Sequence, residues 1–111
     1  MSHSTVLLVL FLAAILEAGG DALVRSGLRA PTLPLRLVLF TLGGLVLFSY
    51  GYLVTAPAWA FGRLLGIYVV LFFVIAQLIS WAAFGELPGR EVVVGGTFVV
   101  LGGAIMWTWS G

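Results

Sequence analysis

Three stretches of this chain, Leu37 to Gly62, Leu64 to Gly85 and Val92 to Ser110, contain no Asp, Glu, Lys or Arg. Each is about long enough to carry an α-helix across the ~30 Å hydrocarbon core of a bilayer, which takes roughly 20 residues. A small soluble domain leaves much of its area in water and could not hide so much apolar surface. Here 62% of the 111 residues are hydrophobic and only 8% are charged. The chain reads as an integral membrane protein.

The first apolar run is less clean. Val6 to Leu16 is apolar, Glu17 interrupts, and the pattern resumes to about Leu28. Read alone, Val6 to Leu16 could be the core of a signal peptide, but no Lys or Arg precedes it and Glu17 falls where cleavage would occur. It is therefore counted as a first spanning helix. Three short connections follow: Leu28 to Arg36 with two prolines, Val54 to Ala60 around Pro57, and Phe84 to Val92 with Gly, Pro and Gly between charges. Prolines block a continuous helix, and such clusters mark turns. The expected fold is all-α: one transmembrane domain over residues 1–111, a four-helix bundle running up-down-up-down. The helices are expected at about 5–28, 37–56, 59–84 and 91–109. With so little mass outside the membrane there is little room for an enclosed pore in one chain, so the expected functional unit is dimeric.

Several function classes are excluded by what the chain lacks. It has no cysteine, hence no disulfide or thiolate metal site. A net charge of +1 argues against a nucleic-acid partner. No phosphate-cradling Gly loop, metal-ligand cluster or nucleophile–base arrangement is present, so neither an enzyme nor a cofactor or metal is expected. The expected partners are the lipid bilayer and whatever the helices bind.

Charge is concentrated on the first helix, where Glu17, Asp21 and Arg25 recur every four positions. Residues four apart drift only ~40° around a helix, so the three share one face. Glu17 lies about 12 residues into the span, ~18 Å deep, near the middle of the hydrocarbon. A bare carboxylate there must face the bundle interior or a watery cavity. Asp21 and Arg25 have a simple explanation as a neutral structural pair near the headgroups, where Arg25 can snorkel. Glu17 has no such partner on its own helix. An unpaired acid in a membrane is by default a proton or cation site, the alternative being a protonated side chain that bonds a neighbouring helix. Gly19 and Gly20 beside it make room for a ligand or for close packing.

Helix contacts in lipid rest on small residues. The second helix carries Gly43, Gly44 and Gly51, and the third opens with Ala58, Gly62 and Gly66. The fourth has two pairs seven residues apart, Gly95–Gly96 and Gly102–Gly103, which serve either packing within the chain or a dimer seam. Trp59, Trp107 and Trp109 fall near span ends, as interfacial anchors do. Tyr68 and Trp81 lie deeper on the third helix.

The run Glu17-Ala18-Gly19-Gly20, with Arg25 following, resembles the first helix of the small multidrug resistance family, where a Glu precedes a Gly by three and a basic residue by eight. The stretch "SWAAFGE", Ser80 to Glu86, is similar to the end of that family's third helix, and Gly95 and Gly102 fall at its helix-4 dimer glycines. "GRLLGIY", Gly62 to Tyr68, resembles the related YnfA family, which carries Gly-Arg and a Tyr five after the Arg. The resemblance implies a member of the drug/metabolite transporter superfamily, a dimeric antiporter that exports small cationic compounds in exchange for protons. Glu17 would be the shared site for proton and substrate. Tyr68, thirteen before Trp81, would be the aromatic lining the chamber, with Asp21 and Trp81 as further candidates. The chain departs from the small multidrug pattern at Leu65, Tyr68, Val70 and Phe72, and it has Asp21 where a neutral residue is expected. The same superfamily also contains heteromeric flippase subunits for lipid-linked substrates, so an accessory or non-transporting membrane protein is the alternative.

Arg25, Arg29, Arg36 and Arg90 cluster around the first and third connections, while the other side has Arg63 and His3. Positive residues near short loops are held in the cytoplasm. The first and third connections are therefore expected inside a cell membrane, with both termini outside. A fixed orientation favours a parallel dimer, or a paired small membrane protein of opposite orientation, over an antiparallel homodimer.

Overall fold

The structure, a computed structural model, describes residues 2–109. Four helices follow one another: α1 (His3–Leu28), α2 (Leu33–Val54), α3 (Phe61–Phe84) and α4 (Arg90–Trp109). All four are long and apolar enough to cross a membrane. The described residues form an all-α four-helix membrane bundle without strands.

Local chemistry explains where the helices start and stop. Ser2 caps α1 by accepting a bond from the Thr5 backbone N–H at 3.2 Å. The second helix begins at Leu33, four residues before the sequence expectation of 37. Thr32 caps it, and Pro34 sits in the first turn, where its missing N–H would have no helical acceptor. Of the two prolines read as part of the connection, Pro34 instead lies within the first turn of α2. The third helix starts at Phe61 rather than 59, after the turn containing Pro57. It ends on Gly85, whose φ of 66° is left-handed, a conformation that suits glycine. The Glu86 N–H then turns back to the Ser80 carbonyl at 3.0 Å.

The packing order differs from the chain order. The first helix lies between α2 and α3, and α4 packs on the outer side of α3. The result is a flattened bundle measuring 51 × 34 × 19 Å. The core-facing stripe of α1 runs through Val6, Leu10, Ala13, Ala14 and Ala18, all buried, against Leu64, Ile67, Tyr68 and Ile75 of α3. Three alanines in that stripe let α3 come close, and Glu17 falls within it. Between α1 and α2 the approach is closer still. A Cβ on Gly43 would stand 3.1 Å from the Gly20 carbonyl oxygen and 3.2 Å from the Val24 backbone nitrogen. The outward faces, rich in Leu, Val and Phe, are left for lipid.

Side-chain contacts gather the connections at two ends. At one end the His3 ring packs edge-on against Trp59 at 5.5 Å and Trp107 at 5.3 Å, while the Arg63 guanidinium lies over Trp59 at 4.3 Å. This joins the start of α1, the α2–α3 connection and the end of α4. At the other end Arg25 meets Glu86, joining the end of α1 to the α3–α4 connection. Alternation of the four helices follows directly.

The paired glycines of α4 divide their labour. Gly96 and Gly103 face α3: a Cβ on Gly96 would meet the Phe73 ring at 2.5 Å, and one on Gly103 would overlap Val70. Nothing lies within 4 Å of a Cβ placed on Gly95 or Gly102. One member of each pair packs the chain, and the other faces outward.

Candidate membrane-embedded acid site

Glu17 sits on the α1 stripe, at the level where small side chains let the neighbouring helices crowd in. From α3, Tyr68 reaches across and donates its hydroxyl to Glu17 Oε1 at 2.7 Å, with the Ala13 carbonyl 3.4 Å from the same hydroxyl. Tyr68 is only 3% exposed, so this donor is held in one place. Its ring lies 5.7 Å from Tyr50 of α2 and stacks on Phe72 at 6.2 Å. Glu17 therefore stands against an aromatic wall built from two other helices. A charge-assisted bond of this length orients the carboxylate while leaving its other oxygen for a proton or cation.

Of the residues singled out in the sequence, the structure joins Glu17 with Tyr68. Trp81 is not with them. Thirteen residues of α3 turn through about 220° beyond whole turns and rise about 20 Å, so Trp81 projects from the other side of the helix. It is 58% exposed.

Asp21 and Arg25 also correct the sequence expectation. Arg25 does not pair with Asp21. Its two terminal nitrogens donate to the two carboxylate oxygens of Glu86 at 2.7 and 2.9 Å, a bidentate pair. The guanidinium lies over the Phe84 ring at 4.3 Å. A planar fork matches a carboxylate approached end-on, and the turn at Gly85 presents Glu86 in that way. Asp21, one turn away on the same helix, makes no ion pair with Arg25. The Arg25 hydrogen bond holds the Glu86 carboxyl below the usual carboxylate range, helped by the charge of Arg29 and by the Ser80 hydroxyl. Asp21 instead lines a groove of about 160 Å³ between α1 and α3, with Arg25, Phe72, Ala76, Ser80 and Phe84.

Two participants were missed in the sequence, Tyr50 and Glu86. Nothing local marks Tyr50, because its place depends on how α2 leans on α1. Glu86 did carry a signal. It is an acid at the same end of the bundle as Arg25, in a connection that the alternation of helices places there.

No family model matches the chain, and no solved structure matches it. Two curated relatives do. A UPF0060 membrane protein of Herpetosiphon aurantiacus is 34% identical over 105 residues, spanning 91% of this chain and 92% of the relative. A UPF0060 membrane protein of Staphylococcus carnosus is 32% identical over 101 residues, spanning 90% and 91%. With agreement over nearly the full length of both, the chain belongs to the UPF0060 family of membrane proteins, the YnfA family, within the group that resembles the small multidrug transporters.

Proposed function

We propose that the protein is a proton-coupled exporter of small cations, with Glu17 as the site shared by proton and substrate. The observation that carries this reading is the Glu17–Tyr68 hydrogen bond within the span. A carboxylate deep in the hydrocarbon is held by an oriented hydroxyl and has no cationic partner among the described residues. A single carboxylate that takes either a proton or a cation gives exchange by competition, since occupation by one excludes the other. The aromatic wall of Tyr50, Tyr68 and Phe72 offers π-faces to an organic cation.

The functional unit in this reading is a dimer in a cell membrane. The outward strip of Gly95 and Gly102 is available to a second copy, and the arginine-rich end is placed in the cytoplasm. The test is proton release from purified protein, in weak buffer, on adding a quaternary ammonium dye. Wild type should release protons, Glu17→Gln should release none, and Glu17→Asp should release them with an altered pH profile. Undiminished release from the Gln variant would sink the mechanism.

A further inference from the structure

Toward the end opposite the Arg25–Glu86 pair, an apolar groove of about 320 Å³ runs between α1, α3 and α4. It exists because α4 packs on α3 rather than along α1. Each wall leads up to a residue suited to the headgroup layer. On α1 the wall residue Leu7 lies one turn from His3. On α3, Ile67 and Leu71 continue the face that Arg63 begins, since residues four apart stack along a helix. On α4, Ala104 leads to Trp107, which lines the groove and meets the His3 ring at 5.3 Å. Arg63 is held there but not paired. Its guanidinium lies over Trp59 at 4.3 Å, its Nε is buried, and its nitrogens have no acceptor among the described residues. The acidic side chains lie elsewhere, Glu17 and Asp21 along α1, Glu86 and Glu91 at the far end. A partly buried cation without a counter-ion is costly.

We propose that this end of the bundle holds one anionic phospholipid, with its phosphate on the Arg63 guanidinium and one acyl chain in the groove between α1 and α4. The terminal nitrogens of a guanidinium form a planar fork that matches two phosphate oxygens, and the stacking on Trp59 fixes where the fork sits. Trp59 and Trp107 set this head at the level of the interface. Any lipid chain can lie in an apolar groove, so the headgroup decides which lipid stays. An anionic headgroup leaves its phosphate free for Arg63. In a zwitterionic one the lipid's own ammonium already neutralises it. A chain in the groove also bridges α1 and α4, which meet at this end through His3 and Trp107. Neither Glu17 nor Tyr68 lines the groove, so the assignment stands apart from the exporter reading.

The experiment titrates the purified full-length chain, in neutral detergent, with phosphatidylglycerol or with phosphatidylcholine of the same acyl chains. Bound lipid is counted by native mass spectrometry. Wild type should hold the first phosphatidylglycerol about ten-fold more tightly than phosphatidylcholine, the size of one charge-assisted bond. The ratio should fall toward one in Arg63→Gln and stay as it is in Arg29→Gln, which removes a cation at the far end. Ala104→Phe fills the groove and should weaken both lipids alike, so it decides if Arg63→Gln does not fold. Inorganic phosphate in large excess should not displace the bound phosphatidylglycerol. A wild-type ratio near one, or one lost in Arg29→Gln and kept in Arg63→Gln, overturns the proposal. So does unchanged binding in Ala104→Phe, which would leave the groove empty of lipid. Displacement by inorganic phosphate would make this a site for a free anion and overturn the assignment to lipid.

Discussion

At the scale of single residues, the proposed exchange turns on how Tyr68 holds Glu17. The hydroxyl contributes a bond to a carboxylate, and such bonds are worth about 1.5–3 kcal/mol when made to a charged group. Tyr68→Phe should therefore weaken cation binding by about ten-fold or somewhat more. The ring itself stays packed between Tyr50 and Phe72, so the fold should survive. Dye binding and thermal unfolding, measured on the same detergent-solubilised sample, separate the two effects. A fall in unfolding temperature matching that of a core truncation would show the hydroxyl to be structural instead. Glu17 was legible in the sequence because an acid in the middle of an apolar run is costly wherever it points. Tyr68 was reached through family likeness, since its spacing from Glu17 says nothing of which helices touch. The partner of Arg25 was misread because spacing along one helix favoured Asp21. The nearer acid lost to the one whose carboxylate meets the fork end-on.

Among the elements, the existence of four helices was legible from apolar run length, and their order in space was not. Run length is blind to which faces meet. Only the alanine stripe on α1 and the glycine contact between Gly20 and Gly43 place α1 in the centre. The glycines of α4 give a paired prediction. Gly103→Ala sets a Cβ into Val70, and overpacking of this kind costs about 1–3 kcal/mol. It should lower the unfolding temperature of the chain even in dilute detergent, where copies are apart. Gly102→Ala meets nothing in the chain and should leave that temperature alone, while weakening cross-linking between copies if the outward strip is a dimer seam. Equal effects of the two substitutions on the isolated chain would contradict the packing described. The Arg25–Glu86 contact is testable by pH. Glu86 titrates below its ordinary value in the folded chain, so its contribution is complete above the ordinary value of 4.5 and is lost as the pH falls through the folded one. The unfolding temperature of wild type should exceed that of Glu86→Gln by a small margin, constant from neutral pH down to about that value. The margin should vanish in stronger acid, and a margin that persists there would mean that the ion pair is not its source.

For the whole molecule, the two clusters of end contacts divide the charges unequally. The end joined by Arg25 and Glu86 also holds Arg29, Arg36 and Arg90, whereas the end joined by His3, Trp59 and Trp107 has Arg63 as its only Lys or Arg. Acidic residues weigh little in setting orientation, so Glu86 does not cancel Arg25 in this respect. The arginine-rich end should therefore stay in the cytoplasm, and every copy should insert the same way. Two copies with one orientation can meet along Gly95 and Gly102 only as a parallel pair; an antiparallel pair would need a partner chain of opposite charge bias. Reporters fused after Gly111, which lies beyond the described residues, check this directly. One that is active only outside the cell should give a strong signal, and one that is active only inside should give almost none. Neutralising Arg29, Arg36 and Arg90 to Gln leaves one arginine at each end. Both reporters should then become active in the same cells, because nothing remains to choose between the two insertions. Strong signals from both in the unaltered chain would instead mean dual insertion, and would make an antiparallel homodimer the expected assembly.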